Sequence, residues 1–266
     1  MTISISIFIL LALCGLVIGI LSGIFGVGGG LMMVPLLHLI MRLPMLASSA
    51  TSLFVVAPTS ISGAYRHLRQ GRVDVKASLI LGLSGACASS FSAMFSDNIP
   101  EYLIIALTVS ILAYSAITII RNALKPPIDE EGRTSENRFK TPLSLTLARI
   151  GIGVFAGLVA GIAGVGGGFI MVPLGVAYFG YLFKESTAIS LLAVCIIAIP
   201  GIITHAVLGH VWYLYGLALM VGTIPGANIG VRIVSKIPEK AARFAFAGLL
   251  IFSGIMLVAN RLVFGF

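Results

Sequence analysis

Charged residues are scarce in this chain of 266 residues, at 10%, whereas hydrophobic residues make up 58%. The nine acidic side chains all lie in or beside short polar connections, so we expect no carboxylate deep within an apolar stretch. The three cysteines, Cys14, Cys87 and Cys195, stand singly, without the spacing of a disulfide framework, a redox motif or a zinc site. This composition excludes a soluble globular domain, and nothing in it calls for a metal or a cofactor.

Apolar stretches recur from end to end, and the mean hydropathy is +1.10. A transmembrane helix needs about 20 mainly apolar residues, so the chain is predicted to be an all-α integral membrane protein embedded in lipid. The net charge of +8 would suit nucleic acid, but the basic residues are scattered through short loops and line no single face. We therefore expect no nucleic-acid partner. The first apolar segment has no Lys or Arg before Arg42 and no clear cleavage site, which argues against a signal peptide.

The sequence repeats itself at an offset of 138 residues without a gap. Residues 15–36 align with 153–174, and both copies contain the glycine-rich pattern GxxGVGGGxxMVP. The same offset pairs His67 with His205 and Ser52 with Ser190. Two halves are predicted, 1–121 and 148–266, with a polar cytoplasmic linker at 122–147.

Each half contains one long apolar segment interrupted by the glycines and then three ordinary spans, which gives eight segments. The predicted segments are 4–41, 46–65, 75–96, 101–121, 148–183, 187–208, 212–234 and 241–261.

Charge predicts the orientation of the halves. The loop between Arg66 and Lys76 is strongly basic and should be cytoplasmic, whereas its repeat partner, 206–215, has no Lys, Arg, Asp or Glu and should face outside. Corresponding loops on opposite sides imply inverted repeats, each crossing an odd number of times. We favour a re-entrant hairpin bent at GVGGG over a pair of spanning helices, because the arms 31–40 and 169–180 are short. Both termini are predicted to be periplasmic.

The GVGGG runs are predicted to break their helices. Consecutive glycines cannot share one helix face, and each costs about 1 kcal/mol in a helix interior. A helix that restarts after such a break offers free N–H groups and a positive dipole end to an anion. Inverted repeats would bring both tips to the midplane, where such transporters bind substrate.

The alternative is close helix packing, which we assign to glycines at four-residue spacing, as in 15–23. The predicted anion-binding glycines are Gly26, Gly28, Gly29, Gly30, Gly164, Gly166, Gly167 and Gly168.

Hydroxyl side chains follow each break and can donate hydrogen bonds to oxyanions. The alternative is that they bond to the backbone or to a neighbouring helix, and the two interpretations are equally supported. The predicted set is Ser48, Ser49, Thr51, Ser52, Ser186, Thr187 and Ser190, with Asn228 as a further polar residue within a span.

Two histidines, His67 and His205, occupy equivalent positions near the ends of their spans. In the absence of buried acids they are the predicted proton carriers if transport is proton-coupled. The alternative, which sequence favours, is a hydrogen-bonding role near the membrane interface.

The doubled glycine motif, the turn Gly71-Arg72-Val73-Asp74 and the eight-segment layout resemble the sulfite exporter TauE/SafE family. The resemblance covers almost the whole chain and implies a bacterial inner-membrane transporter, without ATP hydrolysis, for small organosulfur anions such as sulfite or sulfoacetate. His210 stands in the second copy where the first has Arg72, so one end lacks a fixed charge. The absence of buried acids agrees with an anionic substrate.

The predicted function is secondary transport, with export favoured, by alternating access around the two breaks. A channel-like anion permease and a carboxylate transporter remain alternatives. No HExxH or GxSxG motif is present, so we do not predict an enzyme. A signalling or assembly subunit would have little loop surface with which to act. A homodimer is weakly favoured by helix faces rich in Gly and Ala.

Overall fold

The computed structural model describes residues 4–71, 73–124 and 141–264, together with their side chains except those of 97 and 260–264. All regular structure within these ranges is helical. Eight of the helices described are long and apolar enough to cross a membrane, and two shorter apolar helices follow the glycine breaks. The predicted all-α membrane architecture is confirmed.

The same order of one long helix, one short helix and three long helices occurs twice. The first five are α1 (Ile5–Phe25), α2 (Gly30–Pro35, continued as a π-helical turn Leu36–Ile40), α3 (Met45–Arg69), α4 (Val75–Met94) and α5 (Glu101–Leu124). The second five are α6 (Pro142–Ala163), α7 (Gly168–Tyr178), α8 (Phe183–Val207), α9 (Tyr213–Val234) and α10 (Glu239–Phe264).

The helices extend further into the predicted linker than expected. α5 continues to Leu124, and α6 begins at Pro142 instead of 148. Local chemistry explains the early start, because Thr141 and Ser144 form a capping box and Pro142 occupies the first helical position, where its missing N–H costs nothing. The remainder of the predicted linker, 125–140, lies outside the described residues.

Contacts between helices fix their relative directions. α1 runs parallel to α9, and α3 also runs parallel to α9, because residue numbers rise together along each pair. α6 and α8 run parallel to α4 by the same criterion. The aligned positions are Gly15, Gly19 and Gly23 of α1 with Leu219, Thr223 and Ala227 of α9; Phe54 and Thr59 of α3 with Gly216 and Thr223; and Gly153, Gly157 and Gly161 of α6 with Leu81, Gly85 and Ser89 of α4.

α3 and α8 cross in opposite directions at the centre of the molecule. Gly63 lies against Leu191, whereas Leu53 lies against Gly201, so numbers rise along one helix as they fall along the other. These two helices occupy equivalent places in the two halves. An antiparallel crossing of equivalent helices is the contact that oppositely oriented halves require.

α1 and α3 point the same way, so the segment between them must bring the chain back. The returning arm, Gly30–Ile40, has a length of about 16 Å, roughly half the hydrocarbon thickness of a bilayer. α1 itself, with 21 residues, is long enough to cross. The glycine-broken segment is therefore a hairpin with unequal arms, and α6 and α7 form its counterpart.

Basic residues collect at one end of the bundle, which we call the basic end. Arg149 contacts Asp74 there, the Lys184 ammonium donates to the carbonyl of Ser235, and Arg243 donates to the carbonyl of Asn122. Among the described side chains, Arg42 is the basic residue that lies at the opposite end. The basic end contains Arg66, Arg69, Lys76, Arg121, Arg149, Lys184, Arg232, Lys236, Lys240 and Arg243.

Candidate functional site

Both glycine runs break their helices, as predicted. α1 ends at Gly26 and α6 at Gly164, each in the left-handed region, at φ 74° and 68°. Two further glycines in each run also have positive φ, and the helices restart at Gly30 and Gly168. Residues other than glycine rarely adopt this backbone, so the local sequence dictates the interruption.

The two breaks contact one another at the centre of the molecule. A methyl group added at Gly30 would lie 2.8 Å from the carbonyl oxygen of Gly164, and one added at Gly168 would lie 2.5 Å from that of Gly26. Gly28 and Gly166 both face Val56 of α3 and Val194 of α8, at the crossing of those helices. The predicted contact between the two glycine breaks is observed, and their backbones pack directly against each other.

Two of the predicted hydroxyls satisfy the backbone at the breaks. The Ser190 hydroxyl donates to the carbonyl of Gly26 at 2.8 Å, and the Ser49 hydroxyl donates to the carbonyl of Ala163 at 3.1 Å. Helix ends leave such carbonyls without helical partners. In this structure both hydroxyls therefore cap helix ends, and the hydrogen that each could donate is already bonded to a backbone carbonyl.

Three other predicted hydroxyls also bond to the backbone, two of them locally and one across helices. Ser48 donates to the carbonyl of Leu43 at 3.3 Å, and Thr187 donates to the carbonyl of Lys184 at 2.8 Å. The hydroxyl of Thr51 accepts from the backbone N–H of Trp212 at 3.0 Å, which ties α3 to the start of α9.

Several described hydroxyls are buried without a hydrogen-bond partner, and those of Ser22 and Ser60 lie beside the first glycine break. Ser52 has a fully buried hydroxyl with no hydrogen-bond partner, although its repeat partner Ser190 is bonded. Ser22 and Ser60 share this property and were missed by sequence reasoning. The Ser60 hydroxyl lies 2.8 Å from a methyl group built on Gly28, and Ser22 contacts the corresponding position on Gly29. Their repeat partners are Ala160 and Ala198, so a search for shared residues passes over them.

Asn228 lies at the contact between α9 and α3. Its side-chain amide donates to the hydroxyl of Ser62 and to the carbonyl of Ile224 at 3.4 Å. These hydrogen bonds join the two helices, and neither reaches a glycine break.

The two histidines are fully buried, and they lie toward opposite ends of the bundle. One ring nitrogen of His205, Nε2, lies 3.0 Å from the carbonyl oxygen of Gly161, and Nδ1 lies 3.3 Å from Nδ1 of His210. His67 occupies the last turns of α3, at the basic end. Both side chains are buried within the protein, in the last turns of their helices.

Sequence reasoning placed every basic residue in or beside a connection, and for Arg149 the structure differs. This arginine lies in the second turn of α6 and is only 7% exposed. Its guanidinium contacts Asp74 at 3.4 Å and donates to the hydroxyl of Tyr181. The early start of α6 explains the difference, because it draws a residue next to the linker into the helical bundle.

The glycines at four-residue spacing pack helices closely, as predicted. A methyl group at Gly222 would lie 1.9 Å from the carbonyl oxygen of Ala12, and one at Gly157 would lie 2.1 Å from that of Gly85. The extensive contacts of α1 with α9 and of α4 with α6 depend on this absence of side chains.

Helices long enough to span a membrane, two returning hairpins and broken helices that meet at the centre define a multi-pass helical membrane protein with the architecture of a transporter. The chain belongs to the sulfite exporter TauE/SafE family, whose model matches residues 11–257.

Relatives from bacteria and archaea agree with this assignment. The chain is 32% identical over 249 residues to YdhB of Bacillus subtilis, described as a probable membrane transporter protein, with 91% of this chain and 99% of that protein covered. It is 27% identical over 264 residues to a protein of Methanocaldococcus jannaschii described in the same words, with 94% of each chain covered. No solved structure matches the chain. The protein is a membrane transporter.

Proposed function

We propose that the protein is a secondary transporter that exports small organosulfur anions, such as sulfite or a sulfonate, across the bacterial inner membrane. The observation that carries the proposal is the central contact between the two glycine breaks, beside which Ser22 and Ser60 retain unpartnered hydroxyls. A buried polar group without a partner costs about 1–3 kcal/mol, so its retention suits a ligand that binds intermittently.

The chemistry of this centre favours an oxyanion. Ionised sulfite and sulfonates accept several hydrogen bonds and donate none or almost none. Hydroxyls and the N–H groups at the start of a helix are donors, and glycine allows a ligand to approach the backbone closely. Metal and ammonium cations would instead require carboxylates or aromatic cages.

Transport by alternating access is supported by the relation between the halves. Equivalent helices α3 and α8 cross in opposite directions, and the two breaks meet at that crossing. The closed contact leaves the anion no room between Gly30 and Gly164, so the halves have to separate for it to enter. Rocking of one half against the other around a fixed central site is the motion typical of inverted repeats.

The orientation follows from charge. We assign the basic end to the cytoplasm, because cytoplasmic loops carry an excess of Lys and Arg. α1 begins and α10 ends at the opposite end, so both of these helix termini face the periplasm.

Proton coupling is assigned to His67 and His205. They are buried ionisable groups at equivalent positions toward opposite ends of the bundle, where each is within reach of one side of the membrane.

A matched pair of glycine variants tests the central site. Gly28 and Gly209 have nearly the same positive φ, 77° and 75°, so an alanine is strained at both positions. At Gly28 the methyl group would meet the Ser60 hydroxyl at 2.8 Å and the side chains of Val56 and Val194 at 2.9 Å, whereas at Gly209 nothing lies within 4 Å.

Proteoliposomes kept anaerobic should exchange labelled sulfite or methanesulfonate. Gly28→Ala should reduce exchange at least about tenfold, while Gly209→Ala should retain it. Equal exchange by the two variants would exclude the break as the binding site. Exchange of acetate, with no exchange of the sulfur anions, would show that the substrate class is wrong.

A further inference from the structure

Arg149 is a buried cation that its neighbours satisfy only in part. The residue is 7% exposed, and the Nε–H of its side chain has no hydrogen-bond partner. The contact with Asp74 is 3.4 Å long, and that carboxylate is itself 41% exposed and accepts from the N–H of Ala77. A buried charge is costly unless it is well paired, so this guanidinium has unused capacity for an anion.

A second unused donor belongs to the neighbouring helix α8. The hydroxyl of Ser186 is buried without a partner and lines a small pocket between α4, α6, α7 and α8. Tyr181 lines the same pocket, and its hydroxyl accepts from Arg149. Tyr181 thus connects the arginine to the pocket that contains Ser186.

The absence of a side chain at Gly175 gives the Ser186 hydroxyl its place beside Tyr181. A methyl group there would lie 2.7 Å from the Ser186 hydroxyl and 3.6 Å from the Tyr181 ring. Burial raises the pKa of Tyr181, an effect that the neighbouring Arg149 opposes. The phenol therefore remains protonated at neutral pH, and its O–H can donate while its oxygen accepts from Arg149.

The equivalent place in the other half keeps a hydroxyl, Ser48, but lacks the cation, the phenol and the carboxylate. At the offset of 138 residues, Arg149 corresponds to Leu11, Tyr181 to Leu43 and Asp74 to Trp212. Leu11 and Leu43 belong to an apolar cluster against which Trp212 packs. The otherwise similar halves therefore differ in polarity here, and the polar version lies at the basic end.

We propose that Arg149, Tyr181 and Ser186 form a second anion site, which loads a small sulfur oxyanion at the basic end before it reaches the glycine breaks. The Asp74 carboxylate pairs with the guanidinium when the site is empty, and the incoming oxyanion replaces this carboxylate. This inference rests on the proposed function for the identity of the anion. It adds an anion-specific entrance at one end only, and under the assigned orientation that entrance faces the cytoplasm, as export requires.

Binding to the purified full-length protein tests the site. Sulfite and methanesulfonate are titrated calorimetrically, with acetate and chloride as control anions. Gly175→Ala should weaken sulfur-anion binding at least about tenfold, because its methyl group would lie 2.7 Å from the Ser186 hydroxyl and force that hydroxyl to rotate out of its present position. Gly151→Ala is the matched control, since this other helical glycine has nothing within 4 Å, and its affinity should equal that of the wild type.

Arg149→Gln should cause a similar loss of affinity, and Gly175→Ala answers the question if the arginine variant does not fold. Wild-type affinity in Gly175→Ala, with loss in Ser60→Ala, would overturn the loading site and leave the central site intact. Loss of binding in Gly175→Ala by a protein that exchanges no sulfur anion in proteoliposomes would support the loading site and reject the proposed transport.

Discussion

At the residue scale, the buried hydroxyls are of two kinds: some already donate to the backbone and support the fold, and others have no partner and are available to a substrate. Ser190 and Ser49 already hold the carbonyls at the helix ends, whereas Ser60 faces Gly28 and has no partner. Ser60→Ala should therefore weaken anion binding about five- to thirtyfold while leaving the melting temperature unchanged or raised, because an unsatisfied buried group is removed. Calorimetric titration and thermal unfolding measure the two effects.

The control for this change is Ser110→Ala, since Ser110 is exposed and bonds to its own helix at the carbonyl of Ala106. It should leave both quantities unchanged. A lowered melting temperature in Ser60→Ala with unchanged anion affinity would mean that the Ser60 side chain stabilises the fold and does not bind the anion.

His205 gives a second prediction at this scale. Glutamine in its place can still donate to the carbonyl of Gly161, so His205→Gln should preserve the fold but cannot carry a proton. Exchange of anion across proteoliposomes without a gradient should persist, while accumulation driven by a pH gradient should be lost. Unchanged pH-driven accumulation in both His205→Gln and His67→Gln would contradict histidine coupling.

At the element scale, the close contact between α1 and α9 depends on glycine. Gly222→Ala places a methyl group 1.9 Å from the backbone oxygen of Ala12, which cannot move without separating the helices. Such overpacking costs about 1–3 kcal/mol, so the melting temperature in detergent should fall. Gly248→Ala is the control, because a methyl group at this position of α10 would meet nothing within 4 Å. It should leave the melting temperature unchanged or raise it, since alanine has the better helix propensity. Equal melting temperatures of the two variants would show that the close packing of α1 against α9 contributes little to stability.

The elements were largely predictable, because their signals are local. Consecutive glycines in GVGGG specify a helix break whatever surrounds them, and the breaks were found at both predicted places. The use of each hydroxyl was not predictable, since it depends on which backbone lies opposite. Ser52 and Ser190 are identical residues at equivalent positions, yet Ser190 alone of the two has a partner. Arg149 was misjudged because its helix begins six residues earlier than predicted, at Pro142.

At the scale of the whole molecule, the gathering of basic residues at one end predicts a single orientation in the membrane. In the proposed arrangement of two oppositely directed halves, shape gives the molecule no preferred orientation in the membrane, so the charge of the loops has to set it. Apart from Arg42, the described Lys and Arg side chains lie at the basic end. The cytoplasmic assignment of that end also decides whether the site around Arg149 receives anions from the cytoplasm.

Cysteine labelling measures this orientation directly. With Cys14, Cys87 and Cys195 replaced by alanine, a single cysteine is introduced at Asn98, in the connection at the opposite end, or at Lys236, at the basic end. Both positions are exposed. A membrane-impermeant maleimide should modify Asn98→Cys in intact cells and Lys236→Cys only after permeabilisation. The reverse pattern would place the basic end outside, and Arg149 would then receive anions for uptake; labelling of both positions in intact cells would show that charge does not fix one orientation.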